Sequence, residues 1–167
     1  MYLEDIVVGS SFETARRTVT EADIVAFAGV SGDFNPLHVD EIFAREQTPF
    51  GGRIAHGPLV LSMSYGLASV RDRWKVLALA ECRRRFRAPV YPGDTVWAEF
   101  EILETRASRS RAGVGFVTLG VRVSSDRSEV VQDGRDVMMV AARAAAAAAE
   151  SPPGARTQMT ASRVPQR

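Results

Sequence analysis

Two hydrophobic rhythms divide this chain. Between His56 and Trp74 the apolar and small residues Leu59, Met63, Gly66, Leu67 and Val70 recur at helical spacing, and Val60, Leu61 and Ala68 fill the other sides. A helix that is apolar nearly all round is wrapped by something rather than laid on a surface. After it the period drops to two. Val96, Ala98, Phe100 and Ile102 alternate with polar neighbours, and Val114, Phe116 and Thr118 do the same before Leu119-Gly120-Val121. The pattern predicts strands over Val76–Arg87, Thr95–Thr105, Gly113–Ser125 and Asp136–Arg143. Pro92-Gly93-Asp94 and Asp133-Gly134 read as turns.

Ahead of the long helix the signals are shorter. Phe12 to Val19 suits a first strand. Thr20-Glu21-Ala22-Asp23 resembles a capping box with Asp in the acidic position and opens a helix through about Ala28. Gly29, Gly32 and Asn35-Pro36 then make a loop, Asp40 to about Arg45 a short helix, and Pro49-Phe50-Gly51-Gly52 another loop. This order gives an α+β domain over residues 1–143, a curved antiparallel sheet wrapped around one central helix. From Ala144 the composition collapses into alanines and then Pro, Ser, Thr and Arg, so residues 144–167 read as a poorly ordered tail.

Composition narrows the function. The chain has 167 residues, 46% hydrophobic and 25% charged, with a net charge of +1, so no nucleic-acid surface is indicated. Glu4 and Asp5 sit where a signal peptide would be basic. The stretch Ile54–Val70 lacks Asp, Glu, Lys and Arg, yet it is short and holds serines, a tyrosine and His56, so a buried helix is expected rather than a membrane span. The single cysteine, Cys82, excludes an internal disulfide and fits a reducing cytoplasm; a half-buried strand position is expected for it. His38 and His56 are the only imidazoles and have no partners at metal-ligand spacing, so no metal is expected.

The chemistry concentrates in two short segments. Ser31-Gly32-Asp33-Phe34-Asn35-Pro36-Leu37-His38-Val39-Asp40 sets a carboxylate and an imidazole around an Asn-Pro turn, and Ala55-His56-Gly57-Pro58-Leu59 puts a glycine at a helix start. An acid, an imidazole and an exposed helix N-terminus suffice to add or remove water beside a carbonyl. A carboxylate shielded from bulk water is a more effective base near neutrality, and shielding is expected here. Asn35 is expected to pin the loop, His56 to cap or line the helix entry, and Ser62 to orient rather than attack.

These residues resemble the MaoC-like dehydratase family, which contains the (R)-specific enoyl-CoA hydratases and has the hot-dog fold. The resemblance is carried by Gly32–Asp40, by Arg53-Ile54-Ala55-His56-Gly57, and by Phe86-Arg87-Ala88-Pro89-Val90-Tyr91-Pro92-Gly93-Asp94-Thr95. It implies a catalytic pair Asp33 and His38, a thioester-carbonyl donor in the backbone N–H of Gly57, and Ser62 near the acid. It implies reversible hydration of trans-2-enoyl thioesters to (R)-3-hydroxyacyl thioesters. No cofactor is implied beyond the coenzyme A or acyl-carrier arm of the substrate. A hot-dog thioesterase and a non-catalytic acyl-binding subunit of a heteromeric dehydratase are the alternatives. Strand parity sets Arg83, Arg85 and Arg87 on one face and Arg84 on the other, so Arg85 or Arg87 is the candidate for substrate phosphates. A homodimer or a multiple of one is expected, because a sheet around one helix leaves an edge free.

Overall fold

In the computed structural model the described residues are 1–68 and 73–143. The expected alanine-rich tail therefore lies outside them, as does Val70 of the expected long helix.

The sheet is built on β3 (Val76–Phe86), β4 (Thr95–Ala107), β5 (Val114–Ser125) and β6 (Gln132–Ala141), joined by short β1 (Ser11–Glu13) and β2 (Arg17–Thr18). All pairings are antiparallel in the order β1-β4-β5-β6-β3, with β2 also on β4. Alternation does what it predicts. Val96, Ala98, Phe100 and Ile102 of β4 face the core with Val117, Leu119, Val121 and Val123 of β5 and Met138 and Val140 of β6. The first strand is split in two because Thr14 interrupts it: its N–H and its hydroxyl oxygen take the Ala98 carbonyl and N–H, and the chain bulges before β2.

The central helix α4 spans Gly57–Leu67 and ends well short of Trp74. Ala68 leaves helical geometry at φ −81°, ψ 55°, and its N–H closes a tight bond to the Tyr65 carbonyl. Trp74 instead meets Phe12 edge-on, ring centres 6.2 Å apart. Leu59, Val60, Met63 and Ser64 are buried, whereas Pro58, Ser62 and Gly66 are exposed. Within one chain, then, the helix has an open side, and the adjoining edge strand β3 is exposed along almost its whole length. Cys82 lies exposed on that strand, not half-buried as expected.

Helix α1 (Glu21–Ser31) starts on the expected capping box, with Thr20 and Asp23 bonding reciprocally, and runs through Gly29 to end at Gly32, where φ is 75°. One helical turn the pattern did not suggest, α2 (Pro36–Val39), forms because the Asn35 side chain caps it and Pro36 occupies its first position. Helix α3 (Glu41–Gln47) is capped by Asp40. Asp133-Gly134 is not a turn: both residues belong to β6, and Gly134 lies opposite Arg84. A Cβ there would run into the Arg83 carbonyl oxygen, so the glycine answers a close approach of strands rather than a bend. Among the described residues no helix is long and apolar enough to cross a membrane.

Candidate active site

The loop between α1 and α2 shapes the acid. Gly32 turns the chain out of α1, and Asp33 Oδ1 accepts the Asn35 N–H at 3.2 Å while Asn35 Oδ1 accepts the Leu37 N–H at 3.0 Å. One carboxylate oxygen of Asp33 is thereby engaged in the turn. The other, Oδ2, faces His38 Nε2 at 3.9 Å. Asn35 pins the loop, as expected. The Asp33 side chain is 51% exposed in the single chain, so the expected shielding is not supplied by this chain's own residues.

His38 rides on α2 and is buried, its Nδ1 2.8 Å from the Ile54 carbonyl oxygen. A carbonyl only accepts, so Nδ1 carries the hydrogen, and in the neutral ring Nε2 offers a lone pair toward Asp33. His56 is buried more deeply and makes no side-chain cap on α4. Its Nε2 donates instead to the Asp33 carbonyl oxygen at 2.9 Å, and its ring stacks on His38 with centres 3.8 Å apart. Phe27 of α1 closes the other side of His56 at 5.1 Å. The residue expected to cap the helix thus anchors the loop that carries the acid. Through one atom each, Asp33, His38 and His56 come within 4.8 Å of one another, a grouping their sequence spacing conceals. One nitrogen of each imidazole is already held by a backbone carbonyl.

Gly57 opens α4 opposite this pair. Pro58 follows it and has no N–H, while the Leu59 and Val60 N–H groups both bond the His56 carbonyl. That leaves the Gly57 N–H as the donor of the first turn with no partner among the described residues. A Cβ here would lie 2.6 Å from the Phe86 ring, so any larger residue would have to displace that ring. Gln132 Nε2 donates to the Gly57 carbonyl at 2.8 Å. Gln132 escaped sequence reasoning because β6 was expected to begin only at Asp136; inward parity on an earlier-starting strand was the signal available. His38, Gly57 and Gln132 share a pocket of about 400 Å³, lined also by Leu37, Phe50, Ile54 and Phe86.

Other expected participants are placed elsewhere. Ser62 is exposed and its hydroxyl donates back to the Pro58 carbonyl at 2.8 Å. Arg85 lines a separate depression on the outer face of the sheet, with Glu99, Arg122 and Arg135. Arg87 borders the pocket, while its guanidinium pairs at 2.9 Å with Asp133, which lines the same depression as Arg85. Their mutual bonds hold Asp133 below and Arg87 above their ordinary pKa values. Arg84 is buried in a bidentate pair with Asp136 at 2.5 and 2.6 Å. Burial pulls its pKa down, and the Asp136 carboxylate more than restores it. Tyr65, beside this pair, has its hydroxyl pKa pushed up, first by burial and then by bonds to Cys82 and Asp136.

A curved antiparallel sheet around a central helix is the hot-dog fold. The family comparison agrees: residues 5–125 match the model of the MaoC-like domain. The chain is 34% identical to a 3-hydroxybutyryl-CoA dehydratase of Methylorubrum extorquens, over 84% of each chain. It is 35% identical to an (R)-specific enoyl-CoA hydratase of Rhodospirillum rubrum, over 85% of this chain and 93% of that one. The crystal structure of a MaoC-like dehydratase from Rhodospirillum rubrum superposes with a TM-score of 0.74 at 33% identity, covering 86% of this chain and 98% of the other. The protein belongs to the MaoC-like dehydratase family.

Proposed function

We propose that the protein reversibly hydrates trans-2-enoyl thioesters to (R)-3-hydroxyacyl thioesters. The observation that carries the reading is the 3.9 Å gap between Asp33 Oδ2 and His38 Nε2, with His38 lining the same pocket as Gly57. Both atoms are acceptors when the carboxylate is ionised and the imidazole neutral, so they do not bond each other directly. A water donating one O–H to each satisfies both and turns its lone pair outward.

The steps follow from that arrangement. The water oxygen forms a bond to the β-carbon as Asp33 takes its proton, and electrons of the C=C bond move toward the thioester carbonyl. The Gly57 N–H, at the positive end of α4, faces the charge that develops on that oxygen. A proton from the Asp33–His38 pair then reaches the α-carbon, which consumes the enolate and restores both groups. Dehydration is the same path reversed. The names of the relatives favour coenzyme A thioesters as substrates.

The test is absorbance at the enoyl-thioester band with purified protein and crotonyl-CoA or longer enoyl-CoA substrates. Loss of the conjugated chromophore with no free thiol is the expected result. Release of thiol would mark a thioesterase, and saturable binding with neither change would mark an acyl-binding subunit; either outcome overturns the proposal.

A further inference from the structure

The start of α4 is gripped from outside by one buried amide. Gln132 is 2% exposed, and it stands directly across the ladder from Phe86, so β6 and β3 present an amide and a ring side by side to the Gly57 turn. The ring occupies the space a Cβ would need. The amide takes the carbonyl. Because that carbonyl only accepts, the Gln132 nitrogen must face it, and the amide oxygen is left buried with no hydrogen-bond partner among the described residues. A buried amide oxygen without a partner destabilises the fold, whereas a hydrocarbon of the same shape would bury there without that cost. What the amide offers at this position is its N–H on Gly57.

Glycine needs such a grip. Its backbone torsions are the least restricted of any residue, and its N–H, in the peptide plane shared with the His56 carbonyl, points steadily into the pocket only if the helix start itself is held. The plane that carries the N–H is tied to α4 because the His56 carbonyl in it accepts from Leu59 at 3.0 Å and from Val60 at 3.2 Å, and α4 in turn is tied to the sheet where Gln132 bonds its first carbonyl. The plane after it carries the carbonyl that Gln132 holds, and Pro58 locks the torsion beyond. We infer that Gln132 is a positioning residue, one that aims the Gly57 N–H at the thioester oxygen through its bond to the Gly57 carbonyl. This rests on the function proposed above, and it adds a residue that never touches the reacting atoms.

The test compares wild type with Gln132→Met, which keeps length and removes the donor, on two readouts. In steady-state hydration of crotonyl-CoA, kcat is expected to fall about 10- to 100-fold with KM changed less than about threefold, a part of what losing an oxyanion donor outright costs. In calorimetric titration, wild type is expected to prefer saturated butyryl-CoA over the thioether analogue whose carbonyl is replaced by CH₂. That preference should fall toward unity in the variant. A merely structural role would weaken both ligands alike. Should Gln132→Met fail to fold by circular dichroism, Gln132→Glu, which sets an oxygen against the Gly57 carbonyl at the same size, decides by the same ratio. A folded variant with wild-type kcat, or with an unchanged thioester-to-thioether ratio, overturns the inference. Wild type that hydrates no enoyl thioester would instead overturn the functional proposal, and the binding ratio would still judge Gln132.

Discussion

The imidazoles of His38 and His56 lie face to face, 3.8 Å between centres and 27° from parallel, although one belongs to α2 and the other precedes α4. His56 meets the site twice, through this stack and through its bond to the Asp33 carbonyl. His56→Phe keeps a ring against His38 and removes the bond, leaving the carbonyl without that donor. We expect kcat for crotonyl-CoA to fall about tenfold or more, with stability lowered by roughly 0.5–1.5 kcal/mol, the net worth of one hydrogen bond. Steady-state kinetics and urea unfolding check both numbers.

Asp33 and His38 should behave as one unit, because they are expected to hold the same water. Asp33→Asn and His38→Ala should each lower kcat by about 10²–10⁴. The double variant should be little worse than either single one, since groups acting together are not additive. Circular dichroism serves as the folding control. A folded Asp33→Asn protein with near wild-type turnover would sink the mechanism.

Arg87 and Arg85 now separate. Arg87 borders the pocket with its guanidinium held on Asp133, while Arg85 lines only the outer depression of the sheet. Arg87→Ala should raise KM for a coenzyme A substrate with kcat little changed, because a phosphate far from the reacting carbons is bound alike in ground and transition states. Arg85→Ala should leave both constants within about twofold.

Arg53 ties α1 to α3 through Glu21 at 2.8 Å and Glu41 at 3.0 Å, just ahead of the segment that delivers His56 and Gly57. Bonding to Arg53 holds the Glu41 carboxyl below its ordinary value of 4.5. Its contribution to stability is therefore present above 4.5 and lost as pH falls through the lowered value. Arg53→Gln should lower the melting temperature at neutral pH, and the difference from wild type should shrink toward about pH 3, where carboxylates are mostly protonated. Melting curves at both pH values test it; an undiminished difference in acid would place Arg53's contribution in packing instead.

The exposed edge β3, eleven residues long and carrying Val76, Leu77 and Leu79 in the open, is the surface on which we expect a second copy to pair. Light scattering should report at least twice the 18.2 kDa chain mass at micromolar concentration. A stable species at the single-chain mass would refute it.

Much of this was legible beforehand, for physical reasons. The period-two runs of β4 and β5 and the capping box of α1 are local signals, and each appears where its residues placed it. Asp33 and His38 were expected side by side and Gly57 at a helix start, and they lie so, with Oδ2 and Nε2 3.9 Å apart and α4 opening at Gly57. What escaped depends on distant neighbours. Asp133-Gly134 has turn composition, yet Gly134 is needed where β6 crowds the Arg83 carbonyl. His56 looked like a cap until the fold brought the Asp33 loop over it, and Gln132 had no visible task until β6 met α4. The end of α4 at Leu67 is set by Ala68 leaving helical geometry, in a stretch whose apolar period continues beyond it.

One strand carries two burdens. β3 is the open border of the sheet, and its last residue, Phe86, is also the ring that seats Gly57 and lines the pocket. Whatever steadies that border steadies the ring, and whatever lets it fray loosens the seat of the donor. A chain of this design that pairs along β3 would lose turnover per molecule on dilution before it loses its fold, and crowding it with copies of itself would bring the turnover back.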